Sequence, residues 1–175
     1  MTQKITYTSI DVDFEAFHKD FDSALERIRR ASGADHPNWI GGEAVAAPGA
    51  PLVDVTPIDT SIVLARFACA RPAEIDRAVV AARGAQKGWA RTPWSERVAI
   101  LRRAAGLIRE RKFDLAALMS LEVGKNRLEA MGDAEESADL IEYYCRQMEE
   151  ANGFVREMAR ITPACLLYTS DAADE

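Results

Sequence analysis

Few residues of this 175-residue chain have the type and spacing that catalysis or metal binding requires. The cysteines Cys69, Cys145 and Cys165 are scattered without CxxC spacing, so they indicate neither a disulfide framework nor a zinc site. Cys145 falls on an apolar helix stripe, which predicts a buried and inert thiol. The two histidines, His18 and His36, have no metal-like partner nearby in sequence. We therefore predict no catalytic residue and no metal ligand within this chain.

Phosphate-binding motifs are missing as well. The sequence has no G-x-G-x-x-G and no other glycine-rich loop that could hold a dinucleotide, so it supplies no candidate cofactor-binding residue. The residues alone describe an α+β domain without a self-contained active site.

Glu136 is the one acidic residue with unusual surroundings. With Gly132, Leu140 and Tyr143 it shares one face of a predicted long helix, and those three are not typical surface residues. This pattern predicts a helix packed on two sides, with Glu136 among apolar neighbours, where an unpaired carboxylate is costly. A plain solvated glutamate is the alternative.

Composition limits the class of protein and its partners. There are 22 Lys and Arg against 28 Asp and Glu, a formal net charge of −6, and 48% of the residues are apolar. The acidic balance argues against nucleic acid or an anionic membrane as a partner. No run approaches the ~20 apolar residues of a membrane span, and the first residues lack a signal-peptide pattern. These features predict a soluble, cytoplasmic protein.

The first third of the chain predicts a loose arm over residues 1–10, one helix and a few strands. Residues 11–30 carry apolar side chains at three- and four-residue steps, typical of an amphipathic helix that stops near Gly33. Residues 36–43 predict a strand and a tight hairpin turn at Gly41 and Gly42. Residues 52–56 and 61–68 predict two further strands around a turn.

The rest of the chain predicts four helices. One begins at Pro72 and stops at Gly88, and the next begins with Thr92 as cap and Pro93 at its first position. Residues 113–123 form the third, with Gly124 as a left-handed cap. The helix that begins at Pro93 carries a basic cluster along its length and at its end. We interpret this cluster as a solvated helix face rather than a binding patch: Arg102, Arg103, Arg109, Arg111 and Lys112.

Residues 126–150 form the longest predicted helix. One apolar stripe runs along it, and a core helix is favoured over a coiled-coil seam because alanine and cysteine pack weakly in a seam. The stripe consists of Leu128, Met131, Ala134, Ala138, Ile141, Cys145 and Met148.

Five motifs follow one another between residues 37 and 163: Trp39-Ile40-Gly41-Gly42-Glu43, Val55 to Thr60, Ala73 to Trp89, Arg97 to Arg111, and Leu121-Glu122-Val123-Gly124-Lys125. In these motifs and in their order the sequence resembles the aldehyde dehydrogenase superfamily. Two further segments, 122–126 and 139–144, together with the first helix, resemble the 1-pyrroline-5-carboxylate dehydrogenase group of that family.

The resemblance implies an α/β fold with a Rossmann-like NAD domain, of which residues 37–163 are the incomplete N-terminal part. This part would be mostly helical with a small N-terminal hairpin and sheet, preceded by an arm and helix over residues 1–36. The complete enzyme would be an NAD(P)-dependent homo-oligomer that oxidises L-glutamate γ-semialdehyde to glutamate in proline catabolism. Its NAD site, catalytic cysteine and base glutamate would follow residue 163, so this chain alone would be inactive.

The resemblance also gives Glu136 a role. In that group a glutamate of this helix lines the aldehyde tunnel and faces the substrate's α-ammonium group, and Glu136 is the matching residue. Glu136 is therefore the candidate substrate-binding residue.

Residues 164–175 do not fit the family pattern. One reverse translation of the segment from Cys165 reads as a transposase-type sequencing adapter, so we interpret this tail as an artefact of an assembled metagenomic read. A natural C-terminus is the alternative. A short, non-catalytic helical interaction module derived from the same family is the other functional hypothesis, and a cooperative thermal transition in a monodisperse sample would favour it.

Overall fold

The computed structural model describes residues 13–155, which form five α-helices, five short strands and a 3-10 helix over Asn152–Phe154. The loose arm predicted for residues 1–10 and the tail predicted at 164–175 lie outside the described residues. The helices are α1 (Phe14–Ala31), α2 (Pro72–Arg91), α3 (Trp94–Glu110), α4 (Lys112–Val123) and α5 (Arg127–Glu150). The strands are β1 (Ala34–His36), β2 (Asn38–Ile40), β3 (Glu43–Val45), β4 (Leu52–Val55) and β5 (Val63–Phe67). The predicted mostly helical chain with a small N-terminal sheet is confirmed.

Helix α1 is set by a side-chain cap and by its apolar spacing. The Asp13 carboxylate accepts a hydrogen bond from the Ala16 backbone N–H at 3.0 Å, which satisfies one of the unpaired amides of the first turn. Phe17, Phe21 and Ala24 are buried on one face. The predicted helix is thus confirmed over its described part.

The two small sheets contain two strand pairings that the sequence predicted and one that it did not. Gly41 and Gly42 have φ of +63° and +86°, so the predicted two-glycine turn joins β2 and β3 in an antiparallel hairpin. Strands β4 and β5 also pair antiparallel, as the turn between them predicts. Strand β1 pairs parallel with β5, which sequence reasoning missed because its three residues are all exposed and show no alternation.

The predicted boundary between α2 and α3 was wrong. Helix α2 continues through Gly88 to Arg91 because that glycine keeps a helical backbone, and the helix stops only ahead of Pro93. The Thr92 hydroxyl donates a hydrogen bond to the Gly88 carbonyl at 3.2 Å. Thr92 therefore closes α2, and α3 begins after Pro93 without a side-chain cap.

The main core lies between α1, α4 and α5. Aromatic side chains of α1 pack into a cluster whose other members are mostly small, which lets the three helices approach closely. The buried cluster consists of Phe17, Phe21, Ala24, Ala116, Ala117, Ala130 and Met131. Helix α4 ends at Gly124 with φ +73°, as predicted.

Helix α5 packs between α4 and α3, which confirms a core helix. Met131, Ala134, Ala138 and Cys145 of the predicted stripe are buried. Leu128, at the first turn, is 39% exposed. The stripe therefore faces the other helices from Met131 onward.

Helix α2 is different, since none of its residues is buried. Ile75, Val79 and Val80 are about half exposed or more, and the helix lies beside the β2–β3 hairpin rather than against the main core. Little apolar surface therefore stabilises its position.

We expect the backbone amides of α2 to exchange with solvent at least about tenfold faster than those in the middle of α5. Local opening requires little free energy where few apolar contacts are lost. Hydrogen–deuterium exchange of the 175-residue chain, read by mass spectrometry, measures both helices at once. Equal protection of α2 and α5 would contradict this description of the fold.

Candidate functional site

Glu136 lies on the outer face of α5. Its carboxylate is exposed, and two neighbours on the same face, Leu140 and Tyr143, are 49% and 46% exposed. Within the described residues Glu136 matches the alternative of a solvated glutamate, because no described element covers this face. Gly132 alone of the predicted face is buried.

The adjacent residue, Glu135, fixes the rotation of α5. Its side chain is 3% exposed and accepts a hydrogen bond from the Lys112 ammonium group of α4 at 2.7 Å. Successive helix residues are rotated by about 100°, so burying Glu135 turns Glu136 outward. The prediction of a solvated face was wrong for Lys112, because its side chain is only 4% exposed.

The sequence contained a signal for Glu135. It follows Met131 by four residues and precedes Ala138 by three, which places a carboxylate inside the apolar stripe. An acidic residue at a core position requires a buried cation, and the basic cluster supplies one in Lys112.

Two arginines of α3 attach α5 from the other side. Arg102 lies 3.3 Å from Glu142 and 2.7 Å from Glu149, while Arg109 lies 3.0 Å from Asp139. These side chains are a third or more exposed, so each pair contributes little free energy alone. Together the pairs set the register between α3 and α5, and two members of the predicted solvated cluster have a structural role.

Cys145 is buried between α5 and α3, as predicted. Its side chain is 1% exposed, and its sulfur lies 3.8 Å from the Val98 carbonyl oxygen. Burial raises the pKa of the Cys145 thiol; nearby Arg102 opposes that rise, and Glu142 and Glu149 add to it. A thiol in this environment is a weak nucleophile.

Cys69, by contrast, is exposed after β5. His18 lies against the Phe17 ring, and its Nδ1 lies 3.3 Å from an Arg127 nitrogen, whereas His36 stacks on Phe67. Among residues 13–155 no three His, Cys, Asp or Glu side chains are grouped so as to hold a metal ion.

The described residues do not fit a dinucleotide cofactor. The N-termini of α1 and α5 are closed by the side chains of Asp13 and Asn126, and the Glu74 carboxylate closes that of α2. Helices α3 and α4 begin directly after Pro93 and Arg111. None of the five opens on a glycine-rich loop that could hold a pyrophosphate.

Within residues 13–155 no helix combines the length and the apolar character needed to span a membrane.

Comparison with known proteins defines the family. Residues 46–170 match the model of the aldehyde dehydrogenase family, a range that runs past the boundary at 163 drawn from the motifs. The chain belongs to the aldehyde dehydrogenase family. The 1-pyrroline-5-carboxylate dehydrogenase of Geobacillus sp. (strain WCH70) is 38% identical over 138 residues, which are 79% of this chain and 27% of that protein.

Solved structures agree with this family and with its fold. A mutant form of Thermus thermophilus 1-pyrroline-5-carboxylate dehydrogenase is 34% identical with a TM-score of 0.80, covering 93% of this chain and 31% of that one. A Thermus 1-pyrroline-5-carboxylate dehydrogenase with bound NAD is 33% identical with a TM-score of 0.79, covering 92% and 31%. The chain thus spans less than a third of these relatives' length.

We expect Lys112→Met to lower the free energy of unfolding by about 3–5 kcal/mol, because Glu135 would stay buried without this cation. Urea denaturation of the chain, followed by circular dichroism, measures the change. The double variant Lys112→Met/Glu135→Leu should recover most of the loss, since it removes both buried charges. Lys19→Met makes the same change at an exposed position and should have little effect. A small loss in Lys112→Met would contradict the importance of the pair.

Cys145 should resist thiol reagents in the folded chain. At neutral pH we expect it to react on the order of a hundredfold more slowly than Cys69, since burial limits access and a raised pKa leaves less thiolate. Its reactivity should rise as the pH increases toward that raised pKa. A Cys165→Ser background leaves only these two thiols, and peptide mapping after timed alkylation separates them. Equal rates would show that α3 and α5 do not enclose Cys145.

Proposed function

We propose that this chain is the N-terminal part of an NAD-dependent 1-pyrroline-5-carboxylate dehydrogenase, which oxidises L-glutamate γ-semialdehyde to glutamate in proline catabolism. The observation that carries the proposal is that the Geobacillus relative and the two Thermus structures described above are all named 1-pyrroline-5-carboxylate dehydrogenase. On this proposal residues 37–163 belong to the NAD-binding domain. The remaining residues of that domain would hold NAD, which accepts the hydride when bound.

Glu136 is the substrate-binding residue of this proposal. No described side chain pairs with its carboxylate, and it stands on a helix face beside the exposed Leu140 and Tyr143. A carboxylate in this position is suited to bind a cation such as the α-ammonium group of glutamate semialdehyde. When further parts of the enzyme cover the face, the apolar neighbours would exclude water and strengthen that attraction.

The buried ion pair supports the same role indirectly. Because Lys112 holds Glu135 inward, Glu136 keeps one direction along α5 instead of exchanging places with its neighbour. A fixed direction lowers the entropy lost when a ligand binds.

The proposal extends to location and assembly. Cys69 and Cys145 are free thiols, which is typical of the reducing cytoplasm. We further propose a homo-oligomeric complete enzyme.

The exposed apolar surface is what part of a larger enzyme is expected to show. Helix α2 has no buried residue, and Trp89 on it is 48% exposed. In a complete enzyme the remaining residues would cover such surface, whereas in an interaction module a partner would cover it.

Glu136→Gln should raise the KM for glutamate semialdehyde by about 10- to 100-fold, because a charged hydrogen bond to the ammonium group is worth about 1.5–3 kcal/mol. The test uses a chimera that joins residues 13–155 to the remaining segments of the Thermus thermophilus relative. The kcat/KM for 5-oxopentanoate, the same aldehyde without its amino group, should stay unchanged.

Glu150→Gln, at the exposed end of α5, is the matched control and should leave both substrates unaffected. Unchanged KM values in Glu136→Gln would remove the assigned role, and a chimera that does not oxidise glutamate semialdehyde would contradict the proposed activity.

A further inference from the structure

Helix α1 precedes the part of the chain that defines the family. The family model begins at residue 46, whereas α1 ends at Ala31. The match to the Thermus thermophilus enzyme covers 93% of the 175 residues, so it leaves out fewer residues than the 18 of α1. At least part of α1, which lies outside the range that the family model matches, is therefore matched by the compared 1-pyrroline-5-carboxylate dehydrogenase.

Helix α1 is attached to the helix that carries Lys112. The Arg27 guanidinium group donates two hydrogen bonds to Asp114, at 3.0 and 2.6 Å. The rings of Phe17 and Phe113 lie 5.9 Å apart, and Phe113 directly follows Lys112. The first turn of α4, which supplies the cation of the buried ion pair, is thus held against α1.

The same face of α1 holds the start of α5. The Arg127 guanidinium group lies 5.0 Å from the centre of the Phe21 ring and 2.6 Å from the Asp22 carboxylate. Phe21 is 1% exposed and shares the buried cluster with Met131, four residues before Glu135. One aromatic side chain of α1 therefore supports the N-terminal half of α5.

From these contacts we propose that α1 is a positioning element for Glu136, with Phe21 as its central positioning residue. The inference rests on the proposed function, since it concerns the direction of the substrate-binding carboxylate. Helix α1 contacts α4 at Phe113, next to Lys112, and contacts α5 at Arg127 and Met131, ahead of Glu135. Because the Lys112–Glu135 pair sets the rotation of α5, loosening α1 moves the Glu136 carboxylate relative to the substrate.

The kinetic test uses Phe21→Leu, which keeps an apolar side chain but removes the ring under Arg127. In the chimera, Phe21→Leu should raise the KM for glutamate semialdehyde about three- to tenfold, since a misplaced group weakens binding steeply. The kcat/KM for 5-oxopentanoate should stay within about twofold, because that substrate has no ammonium group. Phe14→Leu is the matched control, since Phe14 is on the same helix but 46% exposed.

The decisive variant is Phe21→Leu combined with Glu136→Gln. If α1 acts through Glu136, the double variant should have the KM of Glu136→Gln alone, because the group being positioned is already lost. Additive effects on KM, or equal losses for both substrates, would overturn the positioning role. Failure of Glu136→Gln itself to raise KM would instead overturn the proposed substrate contact.

A second measurement does not depend on activity. In the 175-residue chain, Phe21→Leu should increase hydrogen–deuterium exchange of amides 130–138 in α5, and Phe14→Leu should not. Unchanged exchange in that segment would show that α1 does not hold α5 and would overturn the proposal.

Discussion

The buried ion pair between Lys112 and Glu135 is the constraint on which the placement of α5 depends. Both side chains are almost fully buried and meet at 2.7 Å. Neither charge is stable there without the other, because burial removes the water that would solvate it. Helix α5 therefore keeps Glu135 against α4, in the same rotation that buries Met131, Ala134 and Ala138, and this rotation decides which residues face outward.

Contacts with α3 and α1 hold α5 in the same rotation. Helix α3 holds its far half through Arg102 and Arg109, and α1 holds its start through Phe21 and Arg127. The outward face that remains carries Glu136. A helix held by its neighbours in this way presents the Glu136 side chain in a defined direction.

Local signals in the sequence predicted the elements well where a single residue type decided the geometry. Gly41 and Gly42 form the hairpin turn, and Gly124 caps α4. The prediction that α2 stops at Gly88 was wrong because a glycine can also stay inside a helix. The helix ends only ahead of Pro93. The short strand β1 had no pattern of its own, since its pairing with β5 supplies its order.

The sequence by itself determined the helices, the hairpin, the buried stripe of α5 and the family motifs, because each depends on residues within a few positions of one another. The tertiary structure alone decided that Lys112, 23 residues away on another helix, is the cation buried against Glu135, and that no described element covers Glu136. Burial of a charge is decided by its partner, and no local pattern specifies a partner on another helix.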